Sequence, residues 1–339
     1  MAALRQFRFL ALAVLLAVAG CTVGKTNPTT GPSGLGAPPS QPAPSVATTP
    51  TIVSYPLQLV DDEGTTVTIP AAPSKIVSLT PATTETLFAI GAGAKLVGRT
   101  DSDDYPAQAA NIPVVVTLGV IDVEKIVGLG ADLVVAGGNG FNSPDAIAKL
   151  RSLGIPVVVV YAPTVDGVLD DIRLVGLAAG VPDPANALAD SMSTQIQAIN
   201  AITDNIEPPT VFYEIDASSK IYTAADQSFL AEMITIAGGI PVTTGSTTNY
   251  EISLEKLIDA DPSIILLGDA AYGVTADQVK ARPGWGTIAA VTSSTILPVN
   301  DTVITRPGPR LVQGLLDLLR VIHPDIDLGP LESGAPTPS

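Results

Sequence analysis

The sequence has very few residues of the kinds that perform covalent or metal chemistry. Its 339 residues include one cysteine, Cys21, and one histidine, His323. A Ser-His-Asp triad, a Cys-His pair and a histidine-rich zinc site are therefore nearly excluded, and no disulfide can form within the chain. No phosphate-binding loop of the Walker type is present either. Any function must depend on other groups, and no catalytic residue or cofactor is assigned.

Positive charge is also scarce. Lysine and arginine total 17 against 33 acidic residues, which gives a formal net charge of −16. Nucleic-acid binding needs a basic face, and no basic cluster appears, so nucleic acid is excluded as a partner. Aromatic residues make up 4% of the chain, and Trp285 is the only tryptophan. It lies in a Pro-Gly-Trp-Gly turn, and we interpret it as a packing residue.

The start of the chain has the pattern of a targeting segment. Arg5 and Arg8 precede an apolar run that is too short to be a stable membrane span, and small residues lead up to Cys21. This pattern resembles the lipobox of bacterial lipoproteins, which implies cleavage before Cys21 and attachment of lipid to it. The following segment, residues 22–54, is rich in Pro, Ser and Thr and almost free of charge, so we expect a disordered linker.

Two stretches of the chain repeat each other. Val123–Gly138 and Leu254–Asp269 each have the pattern of an amphipathic helix that carries Glu-Lys, then a turn, then an apolar strand. Glu124 and Glu255 hold the same place in the two copies. Between the copies lie two helical patterns, and the second has an apolar stripe at three- and four-residue steps from Ala185 to Ile199. The repeat predicts two lobes of one architecture joined by a long helix.

Short runs of Val, Ile and Leu alternate with helical segments in both halves, which indicates parallel strands covered on both faces. The predicted fold class is α/β, with two doubly wound lobes, and the length suits more than one core. The predicted boundaries are a targeting segment, 1–21; a linker, 22–54; an N-terminal lobe, 55–163; a helical connector, 164–207; a C-terminal lobe, 208–325; and a flexible tail, 326–339.

Several motifs, taken in order and spacing, are similar to those of the cobalamin and ferric-siderophore class of periplasmic binding proteins, the substrate-receiving components of ABC importers. They include KIVSLTPATTETLFAIGAG, VEKIVGLGADLVV, LEKLIDADPSIILLG and RPGPRLVQGL. The resemblance covers residues 55–324 and is strongest to cobalamin receptors. It implies two α/β lobes bridged by one long helix, with the ligand in the cleft between them and no enzymatic activity.

The resemblance also implies a set of ligand contacts, since aromatic and amide groups hold large, partly apolar ligands. The candidates are Tyr105, Asn139, Phe141, Tyr222, Tyr250, Asp301 and Arg306. Asp301 and Arg306 lie in an expected loop before the last helix. Where cobalamin receptors often have tryptophan, this chain has Leu118, Gly137 and Asn249. The loss of this stacking surface leaves the ligand open between a corrinoid, a ferric siderophore and haem.

Glu124 and Glu255 gain a role through the same resemblance. In the family the equivalent glutamates, one per lobe, form salt bridges to arginines of the two permease subunits, and exposed charges of this type steer docking. A single Glu on an amphipathic helix is otherwise most often a solvated surface residue. The expectation is an extracytoplasmic, lipid-anchored monomer that delivers a cobalamin-like or iron-chelate ligand to an ABC permease dimer with its ATPase.

Two rival functions belong to other classes. A secreted carboxylate-dependent hydrolase fits poorly with a lipid tether and two similar lobes, but the count of acidic residues does not exclude it. A metal-ion receptor shares the two-lobe plan, yet it needs several His and carboxylate ligands, and the chain has only His323. We therefore assign no metal site.

Overall fold

Short strands alternate with helices along the part of the chain that the structure describes, residues 51–332 of a computed structural model. The targeting segment, Cys21 and most of the linker lie outside these residues. The strands are β1 (Leu57–Val60), β2 (Thr66–Ile69), β3 (Ile76–Ser78), β4 (Leu96–Thr100), β5 (Val114–Thr117), β6 (Val120–Ile121), β7 (Leu133–Gly137), β8 (Val157–Val160), β9 (Thr210–Glu214), β10 (Ile221–Tyr222), β11 (Ile240–Pro241), β12 (Glu251–Ile252), β13 (Ile264–Leu267) and β14 (Ile296–Pro298). The helices are α1 (Pro81–Ala89), α2 (Val123–Leu129), α3 (Pro144–Ser152), α4 (Val165–Ala178), α5 (Pro182–Thr203), α6 (Phe229–Ile236), α7 (Leu254–Ala260), α8 (Ala276–Lys280), α9 (Ala289–Ser293), α10 (Asp301–Ile304), α11 (Leu311–Ile322) and α12 (Gly329–Glu332).

The strands form two main sheets, and the second repeats the order of the first. Strands β4-β3-β7-β8 of the first sheet correspond to β11-β9-β13-β14 of the second, and every neighbouring pair among them is parallel. The first sheet adds β5 and an antiparallel edge strand, β6. Helices α2 and α7, which carry Glu124 and Glu255, precede the equivalent strands β7 and β13. The predicted fold class is confirmed.

Burial on both faces explains the apolar runs in the sequence. Every residue of β7, β8 and β13 is buried, as parallel strands covered by helices require.

Local signals then determine where helices begin and where the chain turns. At the start of α1, Thr80 accepts a hydrogen bond from the Thr83 N–H and Pro81 occupies the first turn, which is the arrangement the sequence predicts. The hairpin of β1 and β2 turns at Gly64, where φ is 74°.

Two helices, α4 and α5, connect the lobes. Helix α5 has 22 residues, and Ala185, Met192 and Ile199 are buried along its predicted stripe. One apolar cluster runs from the first lobe through both helices into α11 of the second lobe. Gly176 on α4 allows close packing, because a Cβ there would overlap the Cβ of Ala185. A connection buried to this extent resists large hinge bending.

Two local expectations are corrected by the structure. A flexible tail is predicted over residues 326–339, but within its described part Leu328 is buried and Leu331 packs against the same apolar cluster, with α12 in contact with α5. Residues 333–339 lie outside the described part of the chain. The expected loop before α11 contains the short helix α10, because Val303 and Ile304 are buried against its neighbours. None of the helices between residues 51 and 332 is both long and apolar enough to cross a membrane.

Candidate functional site

A cavity of about 700 Å³ opens between the lobes at the carboxyl ends of the strands. Its walls are the start of α1, the turn after β7, the end of β8, one face of α4 and, from the second lobe, residues around α10. A second cavity of about 480 Å³ shares Tyr161, Tyr250 and Asp301 with the first, so the two form one cleft. Both volumes are within the range of small-molecule sites, about 300–1,000 Å³, and this edge of a parallel sheet is where ligands collect.

Among the described residues, four exposed aromatic side chains line this cleft: Phe141, Tyr161, Tyr250 and Tyr272. Tyr272 is 89% exposed and Phe141 is 68% exposed. Soluble proteins rarely leave large apolar groups exposed together unless the surface binds something. Aromatic rings offer a ligand a large contact area, and tyrosine adds a polar end. The cleft is therefore suited to a broad, partly apolar molecule.

The turn after β7 is held by Asn142, which is buried. Its side-chain oxygen accepts a hydrogen bond from the Gly137 N–H at 2.7 Å, and its amide donates to the backbone carbonyl that follows β3 at 3.1 Å. Asn139 has a left-handed φ of 52°, a conformation that Asn tolerates better than most residues. A Cβ at Gly137 would lie 2.7 Å from the Thr80 side chain. The turn thus presents Phe141 to the cleft, and a larger residue at Gly137 would collide with Thr80.

A pair of carboxyl groups lies in the wall below Tyr161. The Tyr161 N–H donates to Asp62 Oδ2 at 2.7 Å, which ties the end of β8 to the hairpin of β1 and β2. Asp171 faces the first cavity from α4, on the same side as Val168 and Ile172. Burial, followed by the hydrogen bond and repulsion from Asp62, raises the pKa of Asp171 to about 9. Asp171 is therefore protonated at neutral pH and adds no negative charge to the cleft.

A buried ion cluster joins the two lobes beside the cleft. Glu85 on α1 is 2% exposed and accepts hydrogen bonds from Arg310 Nε at 2.8 Å, Arg310 Nη2 at 2.7 Å and Arg306 Nη1 at 2.6 Å. Arg306 Nη1 also donates to Asp104 at 2.7 Å, and the Arg310 guanidinium lies 4.4 Å from the ring centroid of Tyr105. We call these five residues the interlobe cluster. Its acids belong to the first lobe and its arginines to the second, so it fixes how the lobes meet.

Electrostatics keep this cluster charged. Burial by itself would raise the pKa of Asp104, but the hydrogen bond and positive charge of Arg306 hold that pKa below its ordinary value. Burial would likewise lower the pKa of Arg306, and the bonds to Asp104 and Glu85 raise it instead. Each partner therefore stabilises the ionised form of the other.

On the second lobe, the cleft wall is supported by a further set of carboxyl groups. The Tyr213 hydroxyl donates to Asp301 Oδ1 at 2.8 Å, and burial together with Asp301 raises the pKa of Tyr213, so the hydroxyl keeps its proton. Glu214 is fully buried and receives two hydrogen bonds from Arg282. Burial and the nearby Glu214 raise the pKa of Asp269 to about 7. Asp301 is held at the cleft surface by the Tyr213 hydroxyl.

The structure brings most of the predicted ligand residues together. Those that line the first cavity are Asn139, Phe141, Tyr250, Asp301 and Arg306. Tyr105 and Tyr222 are not among the lining residues of either cavity. Tyr105 lies under Arg310, and Tyr222 is half-buried in the β10-β12 ribbon. The role of Tyr105 and Tyr222 as ligand contacts stays a prediction. Arg306 lines the cavity, but its Nη1 atom already donates hydrogen bonds to Glu85 and Asp104, which limits the positive charge that it can offer a ligand.

Trp285, the expected packing residue, is 3% exposed. Its ring meets Phe212 edge to face, with 6.1 Å between centroids, and Arg282 lies 4.6 Å above it. The interpretation of Trp285 as structural is confirmed.

Within residues 51–332 no group of three or more His, Cys, Asp or Glu side chains is arranged to hold a metal ion.

Several residues at the cleft were missed from the sequence, although some had a signal. Tyr161 directly follows an all-valine strand, as Asn139 and Phe141 follow β7, and the same rule would have selected it. Asp171 lies at helical spacing among the apolar residues that α4 buries, so a charged residue within an apolar stripe was the clue. Glu85 has no such signal, because its arginine partners lie more than 200 residues away: it is separated from Arg306 by 221 positions.

The two candidate docking residues occupy equivalent places. Glu124 is the second residue of α2 and Glu255 the second residue of α7, and both side chains are exposed. Each helix is capped by the preceding polar side chain, Asp122 or Ser253. An acidic residue in the first turn of a helix is favourable by itself. Position in the repeat, rather than local chemistry, is what distinguishes the pair.

Fold and cleft together define a binding protein of two lobes with the ligand site between them. A family model described as periplasmic binding protein matches residues 76–297. This chain belongs to the periplasmic binding protein family, and the predicted resemblance is confirmed. The family and its neighbours serve transporters and are not enzymes, so the chain is a substrate-binding protein of the ABC-transporter class that acts outside the cytoplasm.

Relatives extend over most of the chain. An uncharacterized ABC transporter substrate-binding lipoprotein of Bacillus subtilis, YvrC, is 34% identical over 276 residues, covering 80% of this chain and 87% of the relative. The vitamin B12-binding protein of Vibrio cholerae is 28% identical over 247 residues, covering 73% and 88%. Among solved structures, the periplasmic heme-binding protein RhuT from Roseiflexus superimposes with a TM-score of 0.66 at 27% identity, covering 74% of this chain and 98% of that one.

The interlobe cluster gives a first test. Glu85→Gln keeps the size of the side chain but removes the charge that Arg306 and Arg310 share. We expect the free energy of unfolding to fall by about 3–5 kcal/mol, because a buried charge loses its partner. Urea unfolding followed by circular dichroism measures the change.

The matched control for this test is Asp277→Asn. Asp277 forms an exposed pair with Lys280 at 3.8 Å, and exposed pairs contribute at most about 1 kcal/mol. Similar small losses in both variants would show that the interlobe cluster does not stabilise the lobe arrangement.

The carboxyl pair predicts a pH dependence of stability. With a folded-state pKa of about 9 against about 3.9 in the unfolded chain, Asp171 binds a proton in the folded protein that the unfolded chain has released. Its contribution to stability is therefore complete below about pH 4 and is lost as the pH rises towards 9. Asp171→Asn removes this titration. Between pH 6 and pH 8 the free energy of unfolding should therefore fall less in the variant than in the wild type, with a difference of about 1 kcal/mol per pH unit.

Urea unfolding at pH 6, 7 and 8 measures this difference, with Asp259→Asn as control because Asp259 is exposed on α7. Parallel pH profiles for the wild type and Asp171→Asn would mean that Asp171 is ionised at neutral pH.

Proposed function

We propose that this protein is the receptor of an ABC importer that captures cobalamin or a related corrinoid. The observation that carries the proposal is the cleft at the carboxyl ends of both sheets, lined by exposed aromatic side chains. A corrinoid is a broad ring system with apolar faces and an amide-bearing edge, which suits aromatic surfaces with polar ends. Similarity to proteins named vitamin B12-binding in Vibrio cholerae and cobalamin-binding in Halobacterium salinarum supports this ligand.

A haem or ferric-siderophore receptor of the same transporter class is the second candidate. Similarity in structure to heme-binding proteins favours it, and a cleft tyrosine such as Tyr161 or Tyr272 could serve haem iron as an axial ligand. Titration calorimetry with cyanocobalamin, haem and a ferric hydroxamate distinguishes the candidates. Sub-micromolar binding of cyanocobalamin alone would support the corrinoid; tight binding of another probe alone would replace the ligand and keep the receptor.

Delivery to the permease depends on Glu124 and Glu255 in this proposal. Both are exposed at the starts of equivalent helices, so a receptor with two similar lobes presents one carboxylate per lobe to a permease dimer. Exposed charges of this kind set the register and rate of docking more than its strength. The buried connector implies that the lobes close by a small movement when the ligand binds. The receptor acts as a monomer in this scheme.

Replacing both glutamates by alanine tests the docking role. We expect uptake of cyanocobalamin into cells to be lost while the affinity measured by calorimetry is unchanged, because the glutamates lie on helices away from the cleft lining. The double variant Asp204→Ala with Glu207→Ala removes the same charge from the exposed end of the connector and should leave uptake intact. A fall in affinity for the ligand in the glutamate variant would instead make these residues part of the cleft.

We also propose that Cys21 anchors the receptor by lipid. Cys21 lies outside the described residues, and similarity to a substrate-binding lipoprotein supports the proposal. Cys21→Ala should abolish incorporation of a labelled fatty acid into the protein, whereas Thr26→Ala should not. Equal labelling of the Cys21→Ala protein would contradict lipid anchoring at this residue.

A further inference from the structure

The cleft offers a ligand very little positive charge. Among the described residues that line its two cavities, Arg306 is the only cation. Three acids line the same cavities: Asp171, Asp226 and Asp301. Asp171 keeps its proton beside Asp62, whereas Asp226 and Asp301 oppose Arg306 as carboxylates fixed by hydrogen bonds. Asp226 Oδ1 accepts from the Gly245 N–H at 2.9 Å, and Asp301 Oδ1 accepts from the Tyr213 hydroxyl at 2.8 Å. A negative group on the ligand would therefore meet two fixed negative charges.

The charge of Arg306 is already balanced within the protein. Its Nη1 atom contacts both Glu85 and Asp104, and Arg310 binds Glu85 through two further hydrogen bonds. The interlobe cluster thus contains two carboxylates for two guanidinium groups. A ligand carboxylate at Arg306 would bring a third negative charge to this cluster, or would have to displace Asp104 from it.

The start of α1 also faces the cavity, and a helix N-terminus generally attracts anions. Here most of that capacity is used. Pro81 has no N–H, the Thr83 N–H donates to Thr80 Oγ1 at 3.1 Å, and the Thr84 N–H donates to the Thr80 carbonyl. The helix end therefore does not supply the anion site that the side chains lack.

We infer that the cleft selects a metal chelate without free carboxylates, neutral or positively charged, and disfavours one that carries them. This inference rests on the proposed function of the cleft as the ligand site. A corrinoid whose edge carries amides, or a ferric hydroxamate with a free ammonium group, meets the requirement. Haem does not meet it, because its two propionates would lie beside the carboxylates of the cleft, and the one lining cation, Arg306, is already paired with Glu85 and Asp104.

Two matched pairs of probes test the inference on the purified full-length protein. Cyanocobalamin is compared with its monocarboxylic acid, in which one edge amide is hydrolysed. Ferrioxamine B, a cationic ferric hydroxamate, is compared with its N-succinyl derivative, in which a carboxylate replaces the ammonium group. For whichever pair binds, we expect the carboxylate form to bind about tenfold more weakly at low salt, and the difference to shrink at about 1 M salt, where charges are screened beyond about 3 Å.

Variants of the lining acids assign the effect to this site. Asp226→Asn combined with Asp301→Asn keeps the acceptors for Gly245 and Tyr213 and removes both charges, so the two members of each pair should bind more equally. Asp259→Asn removes one exposed charge on α7 that lines neither cavity and should leave the ratio unchanged.

The outcomes separate the inference from the proposed function. Equal or tighter binding of the carboxylate forms, or binding of haem in preference to both neutral and cationic probes, would overturn the charge selection and leave the receptor role standing. A ratio that persists in the double asparagine variant would overturn the assignment to Asp226 and Asp301. Failure of every probe to bind would overturn the proposed corrinoid and iron-chelate function, and the inference with it.

Discussion

The continuous apolar core that runs through α4 and α5 is the constraint on which the rest of the structure depends. Each sheet is covered on its outer face by its own cluster, but the inner faces share one cluster that includes both connecting helices. The lobes are therefore not two independent bodies on a flexible hinge. Because a packed core cannot be deformed continuously, the carboxyl ends of the two sheets are held facing one another across the cleft.

Polar groups near the cleft are stabilised in three different ways, and each serves this fixed geometry. Glu85 is matched by two arginines from the opposite lobe. Asp171 avoids charge by keeping its proton beside Asp62. Asp301 stays at the surface of the cleft, where solvent and the Tyr213 hydroxyl satisfy it. The consequence for recognition is that the cationic groups are used to join the lobes, so the aromatic surface and the remaining carboxylates are what a ligand meets.

The fold was predictable because its signals are local or periodic. Apolar runs such as Val157–Val160, the Thr80–Pro81 helix start and the stripe along α5 each occupy a short stretch of chain, and the repeat around Glu124 and Glu255 indicated the equivalent sheet order. The prediction of a flexible tail was wrong for the part of it that the structure describes, residues 326–332, because Leu328 and Leu331 pack on the core and no local pattern reveals that contact.

The sequence by itself determined the class of the molecule: two α/β lobes, a helical connector, a pair of equivalent exposed glutamates and a ligand site at the ends of the strands. Only the tertiary structure decided what that site offers a ligand. Arg306 was predicted as a ligand contact, but its partners Glu85 and Asp104 lie 221 and 202 positions away in the chain. Ion pairs, shifted pKa values and exposed aromatic surfaces depend on which side chains lie close together in the folded protein. Local periodicity contains no information about contacts between residues so far apart in the chain.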